Sequence, residues 1–292
     1  MPRAARAATV VSFLREVYDE WRRDQALSHG AALAYYALFS LAPLLVLVIT
    51  VAGLVLGRAA AQGEIVAQIK GLVGADAAAT VEGMVLRMTS PRAGVIASVA
   101  SLVTMVVGAS GVLGQLQTAL NQIWGVRADA AAGLRALVRQ RLAAFALILV
   151  IGLLLLASMA VTAALAGLRE LLTEHFPALG RVLPHLNFVL SFAMASALFA
   201  LVYKVLPDAP LPWRDVWLGG VATALLFTVG KTLIGLYLGR TGTASIYGAA
   251  GSLVVLLLWV YYSAQIVLIG AELTAVWARR FGSQRPRTND AA

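Results

Sequence analysis

The sequence predicts an all-α fold: a polytopic membrane helical bundle with six transmembrane helices, an N-terminal interfacial amphipathic helix and short extracytoplasmic helices. Two observations predict it. The 292 residues are 60% hydrophobic and only 13% charged, whereas about a quarter of the residues of an average soluble domain are charged. The chain also contains several apolar stretches of at least the ~20 residues that a helix needs to cross a bilayer.

Six apolar stretches are the predicted spans, and the fifth of them contains a single charge. They run over about 31–56, 94–115, 142–167, 186–206, 216–238 and 249–277. The first contains Pro43, which removes a backbone donor and predicts a kink. Between the first and second spans, two short amphipathic helices separated by Gly74 are predicted to pack on the outer surface of the bundle.

The distribution of basic residues predicts the orientation. Most of the 23 Lys and Arg residues lie in the N-terminal leader, in the loop that follows the second span, around the turn near residue 210 and in the tail. With six spans these regions share one side, which the positive-inside rule places in the cytoplasm. The chain is therefore predicted to be a multi-pass membrane protein with both termini in the cytoplasm.

Three regions follow from this topology: a cytoplasmic amphipathic segment (1–29), a six-span domain (30–278) and a cytoplasmic basic tail (279–292). The net charge of +9 predicts contact with the bilayer and its anionic lipid head groups, and not with nucleic acid. Apolar residues in the leader recur at helical spacing, which predicts a helix lying in the membrane interface. They are Val10, Phe13, Leu14, Val17 and Trp21.

The second span carries a stripe of small and polar residues along one helical face. The stripe consists of Gly94, Ala97, Ser101, Thr104, Gly108, Gly111, Gln115, Thr118 and Gln122. In a bilayer such a face contacts protein or a water-filled cavity. Two interpretations stay open: a helix that lines a pathway, or a packing seam in which small residues let helices approach closely.

Two ionisable residues inside predicted spans are further candidates. Lys231 interrupts the fifth span, and a charge at that depth usually faces the bundle interior; the alternative is a lysine that extends to the outer head groups. Glu272 shares a helical face with Tyr261 and Gln265 near the cytoplasmic end of the sixth span. It is either a gating or coupling residue or an interfacial glutamate paired with Arg279 or with an arginine of a loop.

The first span offers a third candidate face. His29, Tyr36, Ser40 and Pro43 fall on one side of the predicted helix. Tyr36 and Ser40 are therefore candidates to line a pathway, and Pro43 is a candidate kink. His29 has the alternative interpretation of an interfacial residue at the mouth of the span.

No pattern of residues predicts an enzyme. The chain has no cysteine, its histidines (His29, His175 and His185) are too far apart in sequence for a metal motif, and no P-loop is present. We therefore expect no catalytic residues, no metal and no cofactor, and any transport to be driven by a gradient or by a partner protein.

Several segments resemble the bacterial YihY/BrkB inner-membrane proteins, once labelled ribonuclease BN. The resemblance is carried by 32–43 (ALAYYALFSLAP), 120–124 (LNQIW), 203–207 (YKVLP), 245–248 (SIYG) and 268–273 (LIGAEL). It implies six spans, cytoplasmic termini and residence in the bacterial inner membrane, and transport or export has been suggested for the family. The short tail after Phe281 departs from members with long C-terminal extensions.

These observations predict a transporter or exporter of an unidentified substrate, with an amphiphilic or lipid-like molecule as one option. The alternative is a structural or scaffolding membrane protein in which small residues only pack helices. A ribonuclease is the least favoured alternative because no site for a catalytic metal is apparent. Association with further copies of the chain is left open.

Overall fold

The computed structural model describes residues 3–73, 75–88, 111–126, 177–241 and 251–284, and short stretches between 146 and 167. The described residues are almost entirely helical and include no strand, which confirms the all-α prediction for this part of the chain. The helices are α1 (Arg3–Arg23), α2 (Ala26–Leu56), α3 (Arg58–Val73), α4 (Ala75–Met88), α5 (111–123), α6 (Pro177–Val205), α7 (Trp213–Thr241) and α8 (Gly251–Arg280).

Three of these helices are long and apolar enough to cross a membrane: His185–Val205 in α6, Trp213–Ile234 in α7 and Leu253–Arg280 in α8. They correspond to the fourth, fifth and sixth predicted spans. Ala26–Leu41 in α2 is a shorter apolar helix. Most of the second and third predicted spans lies outside the described residues, and so does Gly108. The total of six transmembrane helices therefore stays a prediction.

Helix α2 begins five residues before the predicted first span. It follows Gln25, which has a left-handed backbone conformation (φ 52°) that turns the chain away from α1. Such a conformation is uncommon for a residue other than glycine. The helix then continues past Pro43 to Leu56 without an interruption.

The main core is built from residues of α2, α5, α6, α7 and α8, and small residues bring the backbones of α6, α7 and α8 together. A Cβ atom added at Gly220 of α7 would lie 2.5 Å from the carbonyl oxygen of Ser196 in α6. On the other face of α7, an added Cβ at Gly219 would overlap the side chain of Thr274 in α8. Such close contacts are typical of helix packing in membranes, where small residues maximise van der Waals contact.

Helices α3 and α4 pack beside α2, as the amphipathic pattern on each side of Gly74 predicts. Ala61 and Ile65 of α3 are buried with Ile49 of α2. Val81 of α4 packs with Leu256 of α8. Helix α3 ends at Val73 and α4 begins at Ala75, and Gly74, the predicted separator, lies outside the described residues.

Helix α1 packs against the end of α8 with part of its apolar face. The ring of Phe13 lies 6.5 Å from that of Trp277 and 6.4 Å from that of Phe281. Arg280 forms an ion pair with Glu16. Other residues of the predicted interfacial face stay exposed, Val10 by 56% of its surface, so a part of that face remains available to a membrane.

Candidate functional site

Polar side chains gather at one end of the bundle. Four parts of the fold meet there: the turn between α1 and α2, helix α5, the segment between α6 and α7, and the part of α8 from Gln265 to Glu272. Most of their polar contacts join residues far apart in the sequence. We call this region the polar end, and its side chains are Asp24, His29, Gln115, Asn121, Gln122, Asp208, Gln265 and Glu272.

His29 lies between two glutamines of α5. Its Nε2 is 2.9 Å from Oε1 of Gln122, and its Nδ1 is 3.1 Å from Nε2 of Gln115. An amide nitrogen can only donate, so Nδ1 accepts a hydrogen bond from Gln115 and Nε2 carries the proton that it donates to Gln122. These two contacts fix the start of α2 to α5.

Two glutamine amides also bind backbone carbonyls at the turn between α1 and α2. Nε2 of Gln122 donates to the carbonyl oxygen of Asp24 (3.1 Å), and Nε2 of Gln265 donates to that of Ala26 (3.1 Å). Gly30 makes room for the second contact, because a Cβ atom there would overlap the amide of Gln265. Helices α5 and α8 therefore hold the turn between them.

Glu272 is completely buried (0% exposed), and neither of its carboxyl oxygens has a hydrogen-bond donor among the described residues. Its closest ionisable neighbour is Asp24, whose carboxyl group lies within hydrogen-bonding reach. Two ionised carboxylates cannot hydrogen-bond to each other, so the contact needs a proton on one of them. Burial raises the pKa of Asp24, which lies outside the apolar spans.

The predicted alternative of an ion pair between Glu272 and Arg279 differs from the structure. A guanidinium nitrogen of Arg279 lies 3.6 Å from a carboxyl oxygen of Glu20 in α1. Glu20 also accepts a hydrogen bond from Arg23 (2.9 Å). Both arginines therefore contact Glu20, and no described Lys or Arg forms an ion pair with Glu272.

The structure brings four of the predicted site residues together. Gln115 ends the second predicted span, Gln122 follows it, and Gln265 and Glu272 belong to the sixth. Each of the four contacts the segment 24–29. The common element is thus the turn before the first span.

Three other predicted residues lie apart from the polar end. Tyr36 packs beside Gly111, where an added Cβ would lie 3.1 Å from its ring, and it is 42% exposed. Ser40 is buried and bonds to the carbonyl oxygen of Ala37 in its own helix (3.5 Å). Lys231 is on an exposed side of α7, whereas the helix face towards α8 passes through Thr223 and Gly230.

Sequence reasoning missed several residues of this region. Asn121 donates from Nδ2 to the Asp208 carboxylate (2.9 Å) and accepts from its backbone N–H at Oδ1 (2.8 Å). Gln117 donates to the same carboxylate (3.1 Å). Their position in the sequence could have identified two of them. Asn121 belongs to the 120–124 segment of family resemblance, and Asp208 directly follows the 203–207 segment.

The similarity of this chain to known proteins shows its family. A family model described as "Virulence factor BrkB" matches residues 17–292. The chain belongs to the BrkB family. It is 31% identical over 277 residues to a "UPF0761 membrane protein" of Pseudomonas aeruginosa and 30% identical over 275 residues to one of Azotobacter vinelandii. A relative in Verminephrobacter eiseniae is 38% identical over 157 residues, which is 53% of this chain and 36% of the relative.

The alignments with the Pseudomonas and Azotobacter relatives cover 92% and 90% of this chain but only 65% and 62% of those proteins. The chain thus spans slightly less than two thirds of their length. No solved structure shows a significant similarity. The relatives are membrane proteins by name, which agrees with the long apolar helices of this BrkB-family chain.

Segments that carried the family resemblance meet at or beside the polar end. The 120–124 segment supplies Asn121 and Gln122, and the 268–273 segment supplies Glu272. The 203–207 segment supplies Tyr203, whose hydroxyl donates to the carbonyl oxygen of Val267 (2.7 Å) in α8. The 245–248 segment lies outside the described residues. In this member of the family, these three segments of resemblance therefore surround one polar region.

Proposed function

We propose that this chain is an integral protein of the bacterial inner membrane that transports or exports an amphiphilic or lipid-like substrate. One observation carries the proposal: Glu272 of α8 is fully buried beside Asp24, and no described residue donates a hydrogen bond to it or forms an ion pair with it. Ionisable residues inside membrane helices are costly, and they commonly mark substrate or ion pathways. A purely structural bundle has no need of such a group.

The surface of α2 supports an amphiphilic substrate. Three aromatic side chains form an exposed patch there: Tyr35 (60% exposed), Tyr36 (42%) and Phe39 (61%). Tyr36 contacts Gly111, which lies one helical turn from Gln115 in α5. A substrate with an apolar chain and a polar head group would place its chain on the rings and direct its head group towards the glutamines.

The orientation belongs to the same proposal. The basic residues of α1 and the last turn of α8 lie together, because Arg280 contacts both Glu16 and Ser12. We place this end of the bundle in the cytoplasm, where anionic lipid head groups are attracted to Arg and Lys. The polar end then opens towards the cytoplasm. Transport would be driven by a gradient, and we assign the chain no enzymatic activity and no nucleic-acid partner.

A flux assay tests the proposal with a defined probe. Purified protein is reconstituted into phosphatidylcholine vesicles that contain a fluorescent short-chain phospholipid, and dithionite quenches the outer leaflet. The wild type is expected to expose the inner-leaflet probe faster than protein-free vesicles do. Gln115→Ala is expected to slow this exposure, whereas Gly114→Ala is the matched control because an added Cβ there meets no atom within 4 Å.

If folded wild-type protein exposes the probe no faster than protein-free vesicles do, the proposal of a lipid-like substrate is wrong. A scaffold is the second candidate function, and it is favoured by the glycine contacts between α6, α7 and α8. It requires an interior without water, and it expects Gln115→Ala and Gly114→Ala to behave alike in the flux assay.

A further inference from the structure

The contact between Asp24 and Glu272 places two carboxyl groups together where water has little access. Glu272 is completely buried, and both of its oxygens are without a donor among the described residues. Asp24 is half-buried and lies within hydrogen-bonding reach of Glu272. A second buried acceptor, Oε1 of Gln265, also has no donor among the described residues.

The charges around this pair are unbalanced. Three carboxyl groups act on the site, those of Glu20, Asp24 and Glu272, together with the guanidinium group of Arg279. Arg279 lies against Glu20 (3.6 Å), and Arg23 also pairs with Glu20. Both guanidinium groups therefore lie at Glu20, and neither forms an ion pair with Asp24 or Glu272 among the described residues. With all three carboxyl groups ionised, one negative charge would remain uncompensated.

The other helices packed around α8 bring no described charge to the pair. His29 of α2 is held between Gln115 and Gln122 of α5. On the side of α7, Gly219 and Thr223 face the neighbouring positions Thr274 and Gly270. The buried acid of α7, Asp215, already accepts hydrogen bonds from the backbone N–H (3.1 Å) and hydroxyl (2.6 Å) of Ser283.

We propose that Asp24 and Glu272 form a proton-binding site in which the two carboxyl groups share one proton. The shared proton gives each carboxyl group a hydrogen-bond partner and removes one of the two adjacent negative charges. Like charges at this separation in a medium of low dielectric constant strongly favour such partial protonation. The described residues include no group of three or more metal-ligating side chains, so a proton fits the site better than a metal ion.

This inference rests on the proposed transport function and deepens it by naming the proton as the coupling ion. Release of the shared proton leaves two carboxylates that repel each other, and Asp24 is in the turn that Gln122 and Gln265 hold. Proton binding at Glu272 therefore acts directly on the position of the turn between α1 and α2. The turn leads into α2, which bears the aromatic patch.

Infrared spectroscopy of the full chain in lipid nanodiscs, without any substrate, tests the site. The measured signal is the C=O stretching band of a protonated carboxylic acid, recorded as pH is raised and in D₂O. The wild type is expected to show a band that disappears as the site loses its proton. Glu272→Gln is expected to remove the band, and Asp24→Asn is expected to make the site release its proton at lower pH.

Two further variants keep the result interpretable. Glu272→Asp retains a carboxyl group and is expected to keep a band at an altered frequency, even if Glu272→Gln reduces the yield of folded protein. Asp215→Asn is the matched control, because it removes a buried carboxyl group that already has donors, and it is expected to leave the band unchanged. Absence of the band from the wild type at every pH, or its persistence in both Glu272→Gln and Asp24→Asn, would overturn the proposal.

The assay separates this inference from the proposed function because no substrate is added. A band that behaves as expected in a protein without lipid flux would contradict transport and leave the proton site standing. Lipid flux in a protein without the band would contradict the proton site and leave transport standing.

Discussion

Gln265 donates a hydrogen bond from Nε2 to the carbonyl oxygen of Ala26 (3.1 Å), although 239 positions separate the two residues in the sequence. Ala26 is the first residue of α2, and Gln265 is 91% buried within α8. The contact fixes the beginning of the first apolar helix to the last one. With the bonds of Gln122 to Asp24 and His29, it defines the geometry of the polar end.

Replacement of Gln265 by Leu is expected to destabilise the protein by about 1–3 kcal/mol, because a buried carbonyl oxygen loses its side-chain donor. Thermal unfolding in detergent, followed by a dye or by circular dichroism, measures the change. Thr232→Val is the control, since Thr232 is exposed and bonds only within α7 (3.3 Å), so its effect should be small. Equal unfolding curves for the two variants would show that the Gln265 contact contributes nothing.

Gly220→Ala is expected to destabilise the packing of α6 against α7. The new Cβ atom would lie 2.5 Å from a backbone oxygen, which cannot move as a flexible side chain does. Overpacking of this kind costs about 1–3 kcal/mol. Gly114→Ala in α5 meets open space and should instead stabilise its helix by about 0.5–1 kcal/mol. Unfolding midpoints that move in the same direction for both variants would argue against tight packing at Gly220.

Asn121 and Asp208 are expected to be energetically coupled. Asn121→Ala removes both hydrogen bonds that join the pair, whereas Asp208→Ala removes the bond to its carboxylate and keeps the one from its backbone N–H. The bond to the carboxylate is lost in either single variant, so the double variant should lose less stability than the sum of the single ones. A coupling free energy of about 1 kcal/mol is typical for such a contact. A double-mutant cycle of unfolding free energies measures it, and strictly additive effects would contradict the pairing.

Stability is expected to fall as pH rises above the ordinary pKa of an aspartate, in part because of Asp24. Burial raises its pKa in the folded protein above 3.8, the ordinary value. The folded state therefore holds the proton to a higher pH than the unfolded state, and this contribution to stability is lost as pH rises through the raised pKa. Asp24→Asn should flatten the decline in a plot of unfolding midpoint against pH, and an unchanged slope would contradict the assignment.

Helical periodicity and hydropathy allowed much of the architecture to be predicted. The helices α3 and α4, the apolar α6, α7 and α8, and the shared involvement of Gln115 and Gln122 all follow from patterns within single segments. Such patterns report which residues share a helical face. They do not report which neighbouring element that face contacts.

Three residues show that a pattern within one segment does not identify the neighbouring element. Asp24 lies in a charged leader, where a solvent-exposed aspartate is the ordinary expectation, and only the left-handed turn at Gln25 brings it to Glu272. Arg279 was one predicted partner of Glu272, but the packing of α1 on α8 gives it Glu20 instead. Lys231 is exposed because Thr223 and Gly230, on another face of the same helix, contact α8.

The absence of cysteine from the chain permits the most direct measurement of the central claim, which is that the polar end lines a water-accessible pathway. Single cysteines replace Gln115, Gln122 and Gln265, and Ala224 and Ala271 serve as controls because both are 0% exposed in the apolar core. Intact membranes are then treated with a small, membrane-impermeant thiol reagent. A water-accessible pathway predicts labelling at the three polar positions and none at the two alanines. Absence of labelling at all five positions would contradict a pathway and leave a packed scaffold.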